Sequence, residues 1–414
     1  MTTRPHFYPT KKIADLGNCL TVEFANREKH VFVSTSSRTK RGAVQELRAL
    51  LEGTRAACES EGTPDSIIQQ TVFVDDPIDR VACQQEVEKA YGSRCPATSY
   101  VVQKSCSGGS VSLETWAVAA DSSDFTVEYA SPHIVVRRNN GVSWVHFADV
   151  AEPTDPGGVY SHSAVAFETM ARQLKQRRIP YDQVVRTWLY LGDIVGAEGD
   201  TQRYKELNRA RTDFYRKFRF HEGHVPKRLN GSVFPASTGI GMDGRDVVMS
   251  CLALTTDRSD VRLMPLENPS QTSAFLYGPH YSPKSPKFAR AMAVCVDDAA
   301  TTLVSGTASI TESESRFPDD PERQTHQTLD NIEVLISPEN FRRHGLDGLG
   351  SGLEGLAQIR VYVKRLADYE AVRQACEDRV GDCPAVYVIA DVCRPELLVE
   401  IEGIAFSRRS CPQT

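Results

Sequence analysis

The chain has 414 residues, 25% of them charged, and 48 basic against 54 acidic side chains leave a net charge of −6. That balance excludes a polyanion such as nucleic acid as an expected partner, and no stretch approaches the roughly 20 apolar residues of a membrane span. Eleven cysteines without a C-x-x-C spacing argue against a zinc ribbon or a disulfide framework, and the N-terminus lacks the apolar core of a signal peptide, so a cytoplasmic protein is expected.

In chain order, the first predicted strand is VFVST from Val31, followed by a helix between Gly42 and Gly62 that carries Val44, Leu47, Leu50 and Leu51 at helical spacing. A strand over Gln69 to Asp76, a helix from Arg80 to Gly92 and two strands around Pro96 and Leu113 complete an order β, α, β, α, β, β. From about His133 to Thr256 the same order returns with a long insertion. Its strands start at Ser143 and Arg186, its helices are Tyr160 to Arg178 and Thr201 to Phe218, and the polar loop HEGHVPKRLNG leads to Pro235. The second of these helices is rich in arginine and tyrosine (Tyr204, Arg209, Arg211, Tyr215), and Arg211 is a candidate for holding an anion. The segment PLENPSQTSAFLYGPHYSPKSPKF has too many prolines for a helix or a central strand, so it is expected to lie extended over the surface of neighbouring units. A third run of the same order starts near Ala289, with helices predicted over Glu322 to Ile336 and Tyr369 to Val380.

The last strand, LLVEIEGIAF, places Val399 and Ile401 on one face and Glu400 and Glu402 on the other, because side chains alternate along a strand. Pro384 precedes Glu400 by sixteen residues (400 − 384), as Pro96 precedes Ser112 (112 − 96) and Pro235 precedes Cys251 (251 − 235). Three diverged copies of one unit follow, over residues 1–127, 128–262 and 263–414. Each is expected to be a mixed sheet with two helices on one face, which makes the class α+β. Only the last copy carries a carboxylate at the position of Glu400; Glu114 matches Glu402, and a repeated charge reads as structural.

The motifs SGTAS, QTHQTLDNI, RVYVKRLADYEAV and LVEIEGIA, in that order, resemble the RidA/YjgF (reactive imine deaminase, endoribonuclease L-PSP-like, chorismate-mutase-like) superfamily, whose subunits form trimers with ligand sites in the clefts between them. From about Trp144 onward the chain resembles the chorismatase family more specifically, through VRTWLYLGD, PASTGIG, ENPSQTSAFLYGPHYSPKSPKFARA, SGTAS, LDNI, FRRHG and LLVEIEG. A full unit before Trp144 departs from that family's pattern. The resemblance implies a pseudo-trimer within one polypeptide, a monomer, acting without a cofactor on the small molecule chorismate.

It further implies roles for individual residues. Glu400 matches the glutamate that protonates the enolpyruvyl methylene of chorismate; a carboxyl in a partly apolar cleft retains its proton near neutral pH and can serve as a general acid. Arg211, Tyr277, Tyr281 and Arg290, with Gln324 nearby, match the groups that hold the substrate's two carboxylates, a task for which guanidinium forks and phenols are suited. Lys284 and Arg186 are further cations for which a structural reading is preferred. Gly306 and Cys393 match the glycine and cysteine of the branch that forms 3-hydroxybenzoate, where the branch that forms a dihydrodiol has alanines. In the former, the substrate's own hydroxyl attacks within the molecule to give an arene oxide. His221 and His224 sit in a loop without further ligands, so no metal is expected. Two other readings remain: imine deamination of the RidA type, against which Val386, Thr98 and Ser237 stand where that chemistry uses an arginine, and ligand binding without catalysis.

Overall fold

The computed structural model describes residues 5–24, 27–152, 157–229, 233–278 and 284–409. Its first sheet is built from β1 (Gly17–Glu23), β2 (Lys29–Ser36), β3 (Ile67–Val74), β4 (Ala97–Val102) and β5 (Val111–Ala119), with helices α1 (Ala43–Ser60) and α2 (Arg80–Tyr91). The second holds β6 (Thr126–Ser131), β7 (Ile134–Asn139), β8 (Val142–Glu152), β9 (Val184–Gly192), β10 (Ala236–Met242) and β11 (Val247–Thr256), with α3 (Gly158–Gln176) and α4 (Arg203–Tyr215). The third holds β12 (Arg262–Leu266), β13 (Ala291–Val296), β14 (Ala299–Ala308), β15 (Leu356–Val363), β16 (Ala385–Ile389) and β17 (Val399–Arg408), with α5 (Pro321–Ile336), the short α6 (Pro338–Arg343) and α7 (Tyr369–Val380).

The three sheets share one topology. The strand that closes each unit lies at its centre, in the orders β1-β2-β5-β3-β4, β10-β9-β11-β8-β7 and β13-β14-β17-β15-β16. One parallel pair, β3 with β4, β9 with β10 and β15 with β16, sits at an end of each otherwise antiparallel sheet. This is the α+β arrangement read from the sequence: three tandem mixed sheets about a pseudo-threefold axis.

The central strands are buried on both faces for two different reasons. On the outer face, helix residues pack against odd-numbered positions of the central strand; in the third unit Leu329, Ile332 and Leu335 of α5 share a core with Val399 and Ile401. On the inner face the three sheets pack on one another through a common core that includes Phe32, Trp116, Trp144, Trp188, Val248, Tyr362 and Phe406. Helix α5 starts at its predicted place because Asp320 accepts from the N–H of Arg323 and Pro321 occupies the first turn, where its missing donor costs nothing.

Two expectations need correction. Paired registers place Val248, not Cys251, opposite Glu400 in the second unit. The bulge between Phe147 and Val150 faces Met249, and the corresponding bulge between Val304 and Thr307 faces Ile401, so Val248 corresponds to Glu400. Counted from the proline, Val248 comes three residues earlier than its counterparts (248 − 235 = 13, against 16), so the path into β11 is shortened and the sixteen-residue interval in that copy is coincidental. The proline-rich segment, expected on the surface, instead contains buried Asn268, Gln271, Ala274 and Phe288 and a helical turn over Ala274–Leu276. Its prolines exclude regular structure but do not oblige exposure, since the Asn268 amide donates to the carbonyl of Asn331 and that of Gln271 to Ile310. Among the described residues no helix is long and apolar enough to cross a membrane.

Candidate active site

The three clefts between units are built alike and have diverged. Between the first and second units, Arg80 Nη2 donates to both carboxylate oxygens of Asp149 at 2.8 Å each. Between the first and third, Ser112 stands at the position of Glu400 and is tied to Ser36 and Ser105 at 2.8 Å each. Of the three equivalent strand positions, Ser112, Val248 and Glu400, only that of the third unit, facing the second, carries a carboxyl.

That cleft is a cavity of about 400 Å³ whose walls include Tyr204, Asn208 and Arg211 of α4, Ser237 and Gly239 of β10, Tyr277, Phe288, Arg290, Gly306, Cys393 and Glu400. Thus Glu400, Cys393, Gly306, Arg211, Tyr277 and Arg290, scattered over 190 positions (400 − 211 + 1), converge on one space. Tyr281 lies outside the described residues. Gln324 does not reach the cavity, contrary to expectation. Its amide is consumed by backbone, donating to the carbonyls of Phe317 at 3.1 Å and Glu396 at 2.9 Å while its oxygen accepts from Leu398 at 2.8 Å. It holds the loop that carries Cys393. Lys284 is paired with Asp213 at 2.6 Å outside the cavity walls, and Arg186 is buried behind them against Glu402 at 2.7 Å. His221 is fully buried and His224 faces the carbonyl of Val261; among the described residues no group of His, Cys, Asp or Glu is arranged to hold a metal.

Glu400 is 5% exposed. Among the described residues its carboxyl has no hydrogen-bond partner. Burial pushes it up to about 8, with the Glu402 carboxylate adding to the rise and the guanidiniums of Arg186 and Arg290 opposing it. A carboxyl in that state is protonated at neutral pH and can give its proton away. Gly306 occupies a β-bulge of β14, where the register shifts between Val304 and Thr307, and bulges re-aim neighbouring groups. Its N–H donates to Thr238 Oγ1 at 2.9 Å, and it leaves the room in which the Glu400 carboxyl sits. Cys393 is half-buried, and its thiol is pushed up to about 12 by burial and then by Glu400, so it is a neutral wall rather than a nucleophile.

Two guanidiniums face the acid across the cavity. Arg211 and Arg290 lie 5.5 and 5.6 Å from the ring centre of Phe288. Arg290 donates to the hydroxyl of Tyr277 at 2.6 Å and to the carbonyl of Thr272 at 3.0 Å, while Arg211 donates to Ser237 Oγ at 3.2 Å and to Asn208 Oδ1. Among the described residues neither cation is ion-paired, and the Nε of each is a buried donor without a partner. Buried unpaired cations are costly, and an arrangement of this kind suits a ligand that brings its own negative charges. Ser237, two residues after Pro235, is uncharged, and the cation at this wall comes from α4, where Arg211 reaches it.

Sequence reading missed Tyr204, Asn208 and Phe288. Tyr204, Asn208 and Arg211 are spaced i, i+4, i+7 on one helix face, so the choice of Arg211 carried the signal for its neighbours. The ring of Tyr204 packs over Gly239, where a Cβ would approach within 3.0 Å of it.

With this geometry in hand, comparison with known proteins is direct. A family model described as "Chorismatase FkbO/Hyg5-like, N-terminal" matches residues 114–253. A 3-hydroxybenzoate synthase of Streptomyces hygroscopicus is 34% identical over 276 residues, which is 64% of this chain and 76% of that protein. The chain belongs to the chorismatase family. A second protein of Streptomyces hygroscopicus, named chorismatase, is 31% identical over 290 residues, 69% of this chain and 80% of its own length. A crystal structure of a chorismatase superposes with a TM-score of 0.63 at 22% identity, covering 82% of this chain and 93% of that one. The likeness of fold therefore extends over more of this chain than the relatives' sequence matches do.

Proposed function

We propose that this chorismatase-family enzyme converts chorismate to 3-hydroxybenzoate and pyruvate, with Glu400 as general acid. One observation carries the reading: a buried carboxyl, protonated at neutral pH, opens into a cavity with two buried guanidiniums that form no ion pair among the described residues. Arg211 and Arg290, with Tyr277, hold the two carboxylates of the substrate. Glu400 transfers its proton to the enolpyruvyl methylene, which becomes a methyl group and leaves an oxocarbenium ion at the ether carbon. The ring hydroxyl then attacks the neighbouring ring carbon; the ether bond breaks, its electrons form the keto group of pyruvate, and the hydroxyl proton returns to Glu400. The resulting arene oxide opens to the phenol. No water is consumed, and chorismate equals the sum of the two products.

Residues 263–414 supply the acid, residues 128–262 supply Arg211 and the facing wall, and residues 1–127 complete the ring, so one chain works as a monomer. The test is incubation of the purified protein with chorismate in ¹⁸O-water. Pyruvate and unlabelled 3-hydroxybenzoate in equal amounts are expected. A dihydrodiol would replace the intramolecular step by attack of water, labelled if water attacks the ring carbon and unlabelled if it attacks the oxocarbenium carbon, and absence of pyruvate would remove chorismate as substrate.

A further inference from the structure

Glu402 plays no part in the chemistry above, yet it is buried and held from four sides. Arg186 Nη2 donates to it at 2.7 Å and Trp188 Nε1 at 2.9 Å, the hydroxyl of Thr238 donates as well, and Arg360 Nη1 stands 3.1 Å away. Arg360 also grips Glu114 of the first unit. All three units therefore meet in one chain of charges, Glu114, Arg360, Glu402 and Arg186. Thr238 Oγ1, bonded to Glu402, also takes the N–H of Gly306 at 2.9 Å and a second bond from Arg186 at 2.6 Å.

We propose that Glu402 is a positioning residue that sets both the place and the charge state of Glu400. It acts through Thr238 and Gly306 on the position of the carboxyl, and through its negative charge on the proton that the carboxyl carries. The inference rests on the general-acid role of Glu400 argued above. Other groups face Glu400 from the surrounding elements. Arg186 of β9 and Arg290 before β13 favour its ionised form, whereas Glu402 on its own strand disfavours it. Tyr204 of α4, Tyr362 of β15 and Cys393 of the β16–β17 loop are all raised by burial and stay neutral. Arg211, Lys205, Arg394 and Glu396 also line the cavity. Glu402 is thus the carboxylate bonded to Arg186, while the Glu267 carboxyl acts on Arg290, and loss of Glu402 leaves the charge of Arg186 without its partner.

The experiment is the pH dependence of kcat/KM for chorismate in the parent protein and in Glu402→Gln. A general acid works only while protonated, so the parent activity falls on the alkaline side. In Glu402→Gln that limb is expected to move toward acid by on the order of one pH unit. A residue that merely supports the fold would lower activity and leave the limb in place, and an unmoved limb in folded Glu402→Gln overturns the proposal. Should the single variant not fold, Glu402→Gln combined with Arg186→Gln removes one charge of each sign. With Arg290 still in place, its limb is expected between that of the parent and a more acid value; a limb displaced toward alkali overturns the proposal. A second readout needs no turnover: the difference in thermal stability between the parent and Glu400→Gln, followed against pH with and without the Glu402→Gln change, reports the Glu400 titration. If the parent fails to cleave chorismate, the functional reading falls while this titration still decides the role of Glu402.

Discussion

A Cβ atom on residue 306 would lie 2.1 Å from Oε1 of Glu400 and 3.0 Å from Cγ2 of Thr238. Atoms do not share such a space, so Gly306→Ala must turn the Glu400 carboxyl out of its position. A displacement of about 1 Å at a reacting group can cost on the order of 10²-fold in rate. The expected outcome is a loss of that order in 3-hydroxybenzoate formation, with a rising share of dihydrodiol when Cys393→Ala is added. Chromatography of products formed in ¹⁸O-water measures both.

Glu400→Gln keeps the shape of the side chain and removes the transferable proton. Pyruvate release should fall by about 10²- to 10⁴-fold, the range for loss of a general acid, with KM little changed. Stopped assays of pyruvate check it, and full activity would remove Glu400 from the mechanism.

The same substitution has a pH-dependent effect on stability. The folded-state carboxyl titrates near 8, above its unfolded value of about 4.3. Between these values the native protein binds a proton that the unfolded chain does not, so the parent loses stability as pH rises through this window, by about 1 kcal/mol per pH unit. Glu400→Gln lacks this dependence. Its melting temperature should match the parent's below pH 4.5 and exceed it increasingly up to pH 8, and parallel curves would contradict a raised Glu400.

Arg290→Met and Arg211→Met each remove a buried cation that has no ion-pair partner among the described residues. Hydrogen bonds to charged groups contribute about 1.5 to 3 kcal/mol, so kcat/KM should drop on the order of 10- to 100-fold, mainly through KM. Stability should hold or rise, because an unpaired buried charge is removed with it. Steady-state kinetics and melting curves separate the two effects.

Gln324→Ala leaves the carbonyls of Phe317 and Glu396 and the N–H of Leu398 without their partner. A loss of about 1 to 3 kcal/mol is expected in urea unfolding, together with a weaker kcat because the Cys393 loop loses its anchor. A change confined to KM would instead favour direct contact with substrate.

The fold was legible because each unit repeats one pattern of strands and helices, and hydrophobic periodicity marks that pattern at every copy, with the proline interval adding to it in the first and third. Glu400 was legible because period-two alternation put it on the inner face. What escaped was whatever depends on packing between units. Whether Gln324 faces a ligand or a loop is set by the path of residues 395–398, which no local spacing records. The equivalence of Val248 was lost because a connection shortened by three residues imitates a shift in register. Burial of the proline-rich segment was invisible for a similar reason: proline forbids regular ladders but says nothing about which surface the chain then lies on.

In an assembly of three identical subunits, any substitution at a cleft appears at all three clefts, so a change that opens one site beside an acid opens every site. Here the clefts belong to one polypeptide and mutate independently, and the Arg80–Asp149 clamp, the serine triplet and the Glu400 cavity show three separate fates. Titration with a tight inhibitor should therefore saturate at one equivalent per polypeptide, and cooperativity between catalytic centres is impossible within a lone molecule.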